Sequence, residues 1–410
     1  MAALAGAGLV MNPEVIVIGG GPAGLSAGIA LAHHGISVMV CEAASDPDNK
    51  PCGEGLLPRG LRELCLLGLD ETELLAAGRP LVGVRYTSAA GVGAEGRFGD
   101  GVGLGLPRSA LRRSLLALAA RKPLLHVAHA EARVLPQASG TCSVRIDGSC
   151  FTPRLIVAAD GLHSRARKAA ALPSKRPTPF RYGARQHYRI RPWSDQVEVY
   201  WSQHAEAYVT PTSHDEINVA LLWQPKHRSE LMPRREGVPD LFGTFPQLAE
   251  RLAGAEPALD TRGYGPLHVD VPAPARRGLV LLGDAAGYVD ALTGEGVGLA
   301  VAKARALARI LAPALRASSG QLSLRQLKPY LAAAHQLERH HLTLTRLLLR
   351  LRRAPWLLER AIAALSEDPR LFSHLLRANQ GAGSPFWVPP RSLIGLLRHL
   401  VGAPPRCATK

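Results

Sequence analysis

Short apolar runs and a helix pattern alternate at the start of the chain. Val15 to Ile18 is an apolar, β-branched run of the kind found in buried parallel strands. A helix pattern follows over Ala23 to His33, and a second strand pattern covers Ser37 to Cys41. Strand, helix and strand in this order predict a parallel βαβ unit. Leu155 to Ala159 repeats the buried-strand pattern much later in the chain.

The middle of the chain has the pattern of an antiparallel sheet. Three strand-like runs lie around Tyr182 to Ile190, Val197 to Trp201 and Ala207 to Leu222. Leu81 to Phe98 alternates between apolar and polar positions and contains Gly-rich turns, so it predicts a shorter β excursion. Residues 323–400 look mostly helical. The chain therefore combines a parallel α/β part, an antiparallel part and a helical part.

Composition and charge bound the class of protein. With 410 residues, 47% hydrophobic and 20% charged, the chain should form two or three globular lobes. Residues 1–12 lack a basic n-region and no uncharged apolar stretch reaches the ~18 residues of a span, so neither a signal peptide nor a transmembrane helix is expected. The proline-rich, charged segment 225–240 predicts a surface loop. The six cysteines are Cys41, Cys52, Cys65, Cys142, Cys150 and Cys407. Their spacing matches neither a metal site nor a CxxC motif, so we expect reduced thiols, no bound metal and a cytoplasmic protein.

A glycine motif follows the first predicted strand, with the sequence Gly19-Gly20-Gly21-Pro22-Ala23-Gly24. Gly19 permits a tight turn, and Gly21 lets the backbone approach a pyrophosphate. Gly24, with Gly28 one turn later, lets the helix pack closely on the sheet. The first helical turn, at Ala23, then points free N–H groups at the phosphates. These features predict a dinucleotide site.

An acidic residue completes this unit. Glu42 ends the second strand, 18 residues after Gly24, close to the ~20 expected of an acid that binds a ribose 2′-hydroxyl. A carboxylate here disfavours a 2′-phosphate. The site should therefore bind an adenosine ribose and exclude NADP.

Two further motifs each follow an apolar strand. Gly278 to Gly283 leads into Asp284, whose carboxylate could accept hydrogen bonds from the hydroxyls of a ribityl chain. Gly294-Glu295-Gly296 then opens a helix whose N–H groups would face the negative edge of a reduced flavin. Asp160-Gly161-x-x-Ser164-x-x-Arg167 follows the strand that ends at Ala159. For Asp160, a role as a turn or cap at the end of a strand remains an alternative.

With these three motifs in order, the chain resembles FAD-dependent oxidoreductases with the para-hydroxybenzoate-hydroxylase type of fold, over roughly residues 12–315. That superfamily includes group A flavin monooxygenases, flavin-dependent halogenases and geranylgeranyl reductases. The resemblance implies an α/β fold with a Rossmann-like FAD-binding domain, an antiparallel β-sheet substrate domain and a helical C-terminal region. It implies that Asp160 and Arg108 contact FAD and that Asp284 binds the ribityl chain. A solvated Arg108 at a helix start is the alternative.

The same resemblance predicts a discontinuous domain organisation. The FAD-binding domain would comprise residues 12–80, 100–168 and 265–320, and the substrate domain 81–99 and 169–264. Residues 321–410 would form the helical, basic C-terminal region.

The resemblance implies an NAD(P)H-dependent monooxygenase that hydroxylates or epoxidises a lipophilic or aromatic secondary metabolite through a flavin C4a-hydroperoxide. No second GxGxxG follows a strand, so no separate NAD(P)H domain is expected. The Trp-x-Trp-x-Ile-Pro segment of the halogenases is missing, and Ala291 stands where group A hydroxylases usually carry proline. One alternative is a geranylgeranyl-reductase-like protein that reduces C=C bonds of an isoprenoid. Another is a flavin-binding protein without turnover.

The segment Pro51-Cys52-Gly53-Glu54-Gly55 resembles a loop of the geranylgeranyl-reductase-like proteins. Cys52 could deliver a proton or tune the flavin, although cysteines more often fill small buried spaces. Glu54 could be a general acid or base with a burial-raised pKa, or a structural loop carboxylate. Both are candidate catalytic residues.

The C-terminal region carries much of the net charge of +16, since residues 321–410 contain 14 Lys or Arg and 4 Asp or Glu. The basic, amphipathic segment 342–360 could contact an anionic membrane as a peripheral anchor, or pack on the flavin domain with its arginines in water. A nucleic-acid partner is not expected, because aromatic interleaving and a known binding fold are missing. We expect a small-molecule substrate.

Overall fold

The computed structural model describes residues 12–46, 50–99, 101–138, 140–176, 181–224, 244–259, 261–381 and 387–401. The expected surface loop at 225–240 and Cys407 lie outside them.

The described strands are numbered in chain order. They are β1 (Val15–Ile18), β2 (Val38–Glu42), β3 (Gly55–Leu56), β4 (Arg79–Leu81), β5 (Gly83–Thr87), β6 (Gly93–Arg97), β7 (Gly103–Gly105), β8 (Leu125–His129), β9 (Ala132–Pro136), β10 (Cys142–Ile146), β11 (Ser149–Phe151), β12 (Leu155–Ala158), β13 (Arg181–Arg189), β14 (Gln196–Trp201), β15 (Ala205–Pro211), β16 (Glu216–Trp223), β17 (Glu256–Pro257), β18 (Arg262–Leu267), β19 (Ala275–Arg276) and β20 (Leu279–Leu281).

The described α-helices are numbered in the same way. They are α1 (Pro22–His33), α2 (Pro58–Leu67), α3 (Glu71–Ala77), α4 (Arg108–Ala120), α5 (Arg165–Ala169), α6 (Pro246–Arg251), α7 (Gly296–Ala317), α8 (Leu324–Leu351), α9 (Pro355–Glu367), α10 (Pro369–Asn379) and α11 (Pro390–Val401).

A six-stranded sheet with the order β19-β20-β12-β1-β2-β8 forms the first half of the molecule. Its inner strands are parallel, and Val15 of β1 lies between Leu155 of β12 and Val38 of β2. One face packs against α1 and α7, and the other packs against the three-stranded sheet β9–β11. Burial on both faces explains why β1 is apolar at every position.

A second, larger sheet has the order β17-β13-β16-β15-β14-β5-β6, with β18 also paired to β13. Most of its pairs are antiparallel, while β14 and β5 run parallel. The expectation of one strand over Ala207 to Leu222 is wrong, because that segment is a hairpin of β15 and β16. The turn between them has the polar sequence Thr212 to Asp215, and Thr212 N donates to Glu216 O at 3.0 Å.

The last helices close the space beside the second sheet. Side chains of α9 and α10, such as Leu365 and Phe372, pack with Val84 of β5 and Val199 of β14 in one apolar cluster. The C-terminal region is therefore part of the same core as the sheet.

The observed architecture confirms the expected fold class, including the βαβ start and the helical C-terminal region. The 147–148 hairpin places Cys150 opposite Arg145. The domain boundaries remain predictions. Strand β18 continues through the boundary expected at residue 265 and ends at Leu267.

Candidate flavin and substrate site

The glycine loop joins β1 to α1 in a geometry that only small residues permit. Gly19 has φ +103°, in the region that favours glycine. A Cβ on Gly24 would lie 1.8 Å from Gly19 O, and one on Gly28 would lie 2.7 Å from Cγ2 of Val40. The N-terminus of α1 is thus held against the carboxyl end of β1.

Gly21 and Glu42 complete the predicted phosphate and ribose side. A Cβ on Gly21 would have one neighbour within 4 Å, Nη2 of Arg108 at 3.6 Å, so Gly21 faces open space beside a cation. Glu42 Oε2 accepts from Gly20 N at 2.8 Å, and Oε1 accepts from Ala44 N at 2.8 Å. Each carboxylate oxygen has remaining capacity to accept a ribose hydroxyl.

The second motif carboxylate, Asp160, is engaged within its own segment. Its Oδ1 accepts from Ser164 Oγ at 2.5 Å and its Oδ2 accepts from Ala166 N at 2.9 Å. Asp160 therefore helps to cap α5. Its neighbour Gly161 faces a cavity that Lys50 and Asp284 also line. Buried Arg167 donates to Ala285 O at 2.8 Å, which ties this motif to the loop after β20.

Asp284 lies in a single 3₁₀ turn, Gly283–Ala286, directly after β20. Its Oδ2 accepts from Lys50 Nζ at 3.1 Å, and its side chain is 31% exposed. The Lys50 ammonium also lies 4.9 Å from the ring centroid of Tyr264. Burial opposes charge on Lys50, but Asp284 raises its pKa, so this cation stays charged beside the motif carboxylate.

Gly294 and Gly296 lie at the N-terminus of α7 and face the same cavity. Gly294 has φ +67°, and a Cβ on Gly296 would meet nothing within 4 Å. Between them, Glu295 is 2% exposed and neither of its carboxylate oxygens has a hydrogen-bond partner among the described residues. Burial raises the pKa of Glu295 to about 7, against the opposing effect of Arg59.

The Cys52 loop is anchored to the second sheet. Cys52 O accepts from Asn218 Nδ2 at 2.8 Å, and Cys52 Sγ accepts from Glu54 N at 3.4 Å. Burial raises the pKa of the Cys52 thiol, so it is protonated at neutral pH. This is a half-buried, proton-carrying group in the cavity wall.

Glu54 is buried, with one carboxylate oxygen in a hydrogen bond and the other in an ion-pair contact that lacks hydrogen-bond geometry. Its Oε1 accepts from Arg108 N at 2.9 Å, and its Oε2 lies 3.0 Å from Nε2 of His187. Nδ1 of His187 is 2.8 Å from Glu216 Oε1. Burial alone would lower the pKa of His187, but Glu216 and Glu54 raise it to about 9. This arrangement holds the loop to β13 by charge, which is the structural alternative considered for Glu54.

A cavity of about 710 Å³ joins these groups. At one end it is lined by predicted site residues: Gly21, Ala23, Cys52, Glu54, Arg108, Asp284, Gly294 and Gly296. It then continues between the second sheet and the C-terminal helices, where its lining is mainly apolar, for example Val199, Leu348, Ile362 and Phe372. Gly19, Gly24, Glu42 and Asp160 do not line it; they shape or cap the elements around it.

A buried charge cluster meets this cavity at Asp290. Arg181 pairs with Glu206 and with Asp290, the latter at 3.2 Å, and Arg352 also pairs with Glu206. The side chains of all four are at most 6% exposed. Arg352 belongs to the segment 342–360 that was expected to contact a membrane. For this residue the expectation is wrong, because its guanidinium is buried and paired with Glu206.

Several residues at the site were not predicted from the sequence. Lys50, His187 and Glu216 come from separate segments with no shared motif, so no local signal marks them. Glu295 did have a signal, since it lies between the two glycines of the third motif. His341 lines the cavity, and its Nδ1 lies 3.0 Å from Thr293 Oγ1. Burial lowers its pKa to about 4.

The residues fit a flavin dinucleotide. The open space at Gly21 suits a phosphate, and the acceptor-only carboxylate of Asp284 suits ribityl hydroxyls. The uncovered helix N-terminus at Gly296 suits the negative edge of a flavin. The described residues contain no cluster of three or more metal-binding side chains. They also include no helix with the length and apolar character needed to cross a membrane.

A family model described as an FAD binding domain matches residues 12–340. The chain belongs to this family. The match extends past the 12–315 range of the sequence resemblance and reaches into α8. The expected fold and the FAD cofactor are confirmed at this level.

Curated relatives differ in how much of the chain they match. Menaquinone reductase of Mycobacterium tuberculosis is 45% identical over 60 residues, and this match spans 15% of each chain. Digeranylgeranylglycerophospholipid reductase of Methanocella arvoryzae is 29% identical over 344 residues, covering 77% of this chain and 81% of the relative. The FAD-dependent monooxygenase atnJ of Arthrinium sp. is 26% identical over 331 residues, covering 73% and 76%.

A solved structure shows the same fold. A flavoprotein/dehydrogenase from Cytophaga hutchinsonii superposes with a TM-score of 0.77 at 19% identity, covering 90% of this chain and 93% of that chain.

Proposed function

We propose that the protein is an FAD-dependent monooxygenase that takes electrons from NAD(P)H and hydroxylates or epoxidises a lipophilic or aromatic small molecule, such as a secondary metabolite. The observation that carries this proposal is the cavity that runs from Asp284 and Gly296 into an apolar space beside the second sheet. The similarity to an FAD-dependent monooxygenase over most of the chain supports the reaction class.

The protein's own part in this reaction is positional and electrostatic. The bound flavin would supply the redox chemistry. Gly21 and Arg108 would receive its pyrophosphate, Asp284 its ribityl hydroxyls and the N-terminus of α7 its pyrimidine edge. Apolar side chains of β14, α9 and α10 would hold the substrate and exclude water.

One observation favours alkene reduction as a second candidate. The Cys52 thiol is half-buried, protonated and in the cavity wall, so it could supply a proton to a substrate carbon. Similarity to two reductases, of menaquinone and of digeranylgeranylglycerophospholipid, supports the same alternative. Glu54 has its carboxylate engaged by His187 and Arg108 N, so we assign it an anchoring role.

The decisive experiment uses FAD-loaded protein reduced anaerobically by NADH or NADPH and then exposed to ¹⁸O₂ with phenols, quinones and isoprenoids. Mass spectrometry should find one ¹⁸O atom in the product. Saturation of a C=C bond without ¹⁸O would establish the reductase instead. If neither nicotinamide reduces the flavin, the protein is a flavin-binding protein without turnover.

Cys52→Ser separates the two reactions further. For a monooxygenase we expect normal FAD affinity and only a modest change in turnover with substrate. For a reductase that uses the thiol as its acid, turnover should fall strongly while the rate of flavin reduction by NAD(P)H stays unchanged.

Peripheral membrane contact through 342–360 remains part of the proposal in a reduced form. Arg346, Arg350 and Arg353 are exposed, whereas Arg352 is buried. The membrane contribution of this segment therefore rests on three arginines.

A further inference from the structure

The last described helix, α11, presents an apolar face to solvent. Leu393 is 44% exposed, Ile394 67% and Leu397 50%. At about 100° per residue these positions fall in one sector of the helix. We name these three side chains, with Arg391 and Arg398, the α11 surface.

The opposite face of α11 is fixed to the protein, so the exposed face has a defined orientation. Ser392 Oγ donates to Asp368 Oδ2 at 2.5 Å, and His399 lies 2.9 Å from Glu367. Leu400 O accepts from Arg360 Nη1 at 2.9 Å. Leu396 packs inward with the apolar cluster around α9 and α10.

The charge around the α11 surface has one sign. The 42 residues that follow Asp368 contain six Lys or Arg and no Asp or Glu. Arg391 and Arg398 are both exposed and lie beside the apolar sector of the helix. An amphipathic helix with exposed Leu and Ile beside arginines suits the interface of an anionic bilayer.

Two aromatic side chains extend the exposed region. Trp387, three residues before α11, is 71% exposed. Trp356 is 59% exposed and stacks with Arg360, the residue that also bonds Leu400 O. Tryptophan is enriched at membrane interfaces because its ring is apolar and its N–H remains hydrated.

The large cavity reaches the underside of the same region. Val388 and Leu396 line it, as does Leu347, which is itself 45% exposed. The apolar path from the flavin end of the cavity therefore ends beneath the exposed apolar helix.

We propose that the α11 surface docks on an anionic phospholipid bilayer and places the apolar end of the cavity at the membrane. This goes beyond the proposed reaction and moves the main contact from 342–360 to 387–400. Binding to vesicles needs no turnover, so it can fail or succeed independently of the monooxygenase proposal.

The test is flotation of the FAD-loaded full chain with vesicles of phosphatidylcholine alone or of phosphatidylcholine with phosphatidylglycerol. We expect binding to the phosphatidylglycerol vesicles that falls as salt rises. Ile394→Glu/Leu397→Glu should weaken this binding at least tenfold. Arg391→Gln/Arg398→Gln should also weaken it about tenfold or more.

Matched variants control for loss of exposed leucine and for loss of charge. Leu66→Glu changes a leucine that is 57% exposed on α2, and Arg113→Gln/Arg121→Gln removes two exposed charges at α4. These should bind vesicles as the unaltered chain does. A third variant, Arg346→Gln/Arg350→Gln/Arg353→Gln, tests α8 and its end.

Four results would overturn the proposal. They are no binding to phosphatidylglycerol vesicles at low salt, equal binding to neutral vesicles at all salt concentrations, equal losses in the control variants, or a larger loss in the α8 variant than in the α11 variants. Self-association without lipid that Ile394→Glu/Leu397→Glu abolishes would instead identify the α11 surface as an interface between two copies.

Discussion

The two large sheets use charge in opposite ways. The parallel sheet has apolar side chains throughout β1, and the cofactor site proposed beside it is mainly backbone, at Gly19, Gly21 and the N-terminus of α1. The second sheet buries charged side chains, including Arg181 and Glu206. We therefore expect the parallel part to bind by close backbone approach, whereas the antiparallel part joins distant segments through buried ion pairs.

The largest effect should come from glycine substitutions beside the parallel sheet. At two positions of the same loop we expect different losses, of FAD binding at one and of folding at the other. A valine at Gly21 would enter the phosphate space while meeting little protein, so Gly21→Val should abolish FAD binding in a folded chain. Flavin release and absorbance measure occupancy, and circular dichroism measures folding.

Gly24→Val is the matched counterpart. Its Cβ would lie 1.8 Å from Gly19 O, so the loop itself cannot form and the chain should fail to fold or lose much stability. Normal FAD occupancy in Gly21→Val, or a well-folded Gly24→Val, would contradict this division of roles.

Removing a buried charge beside the second sheet should lower the free energy of unfolding. Arg352→Met leaves Glu206 with one buried partner, so unfolding free energy should fall by about 3–5 kcal/mol. Arg353→Met, at an exposed neighbour, should change it by about 0.5 kcal/mol or less. Urea unfolding measures both, and equal effects would show that burial of the ion pair is unimportant.

Glu295 sharpens the comparison because it is a buried carboxylate without a hydrogen-bond partner among the described residues. Since burial raises its pKa from 4.5 to about 7, the folded chain holds a proton that the unfolded chain loses. Its contribution should therefore reduce stability as pH rises from about 4.5 to 7. Glu295→Gln should remove this slope and be more stable above pH 7, by about 3 kcal/mol.

Urea unfolding at several pH values tests this, with exposed Glu256→Gln as the control. If the unaltered chain and Glu295→Gln have parallel pH profiles, Glu295 does not titrate in this window.

Asp284 should give the smallest of these effects. Charge-assisted hydrogen bonds to ribityl hydroxyls contribute roughly 1.5–3 kcal/mol, so Asp284→Ala should weaken FAD binding about ten- to a hundredfold. Lys50→Gln removes the partner of Asp284 and keeps the carboxylate, so it should weaken binding less. A dissociation constant that stays the same in Asp284→Ala would argue against its role.

The conformation of the glycine loop could be predicted almost completely because it depends on residues close together in the chain. The turn at Gly19, the close packing at Gly24 and the acid at Glu42 depend on a spacing that the sequence shows directly. The Asp160 motif was equally visible, yet only the structure shows that both carboxylate oxygens are engaged by Ser164 and Ala166.

The sequence by itself determined the βαβ start, the FAD-binding motifs and the helical C-terminal region, since each depends on residues close together in the chain. Tertiary structure alone decided that His187 holds Glu54, that Arg352 is buried against Glu206 and that Glu295 has no hydrogen-bond partner among the described residues. The physical reason is that ion pairing and burial depend on which segments meet in space, and residues such as Glu206 and Arg352 are 146 positions apart.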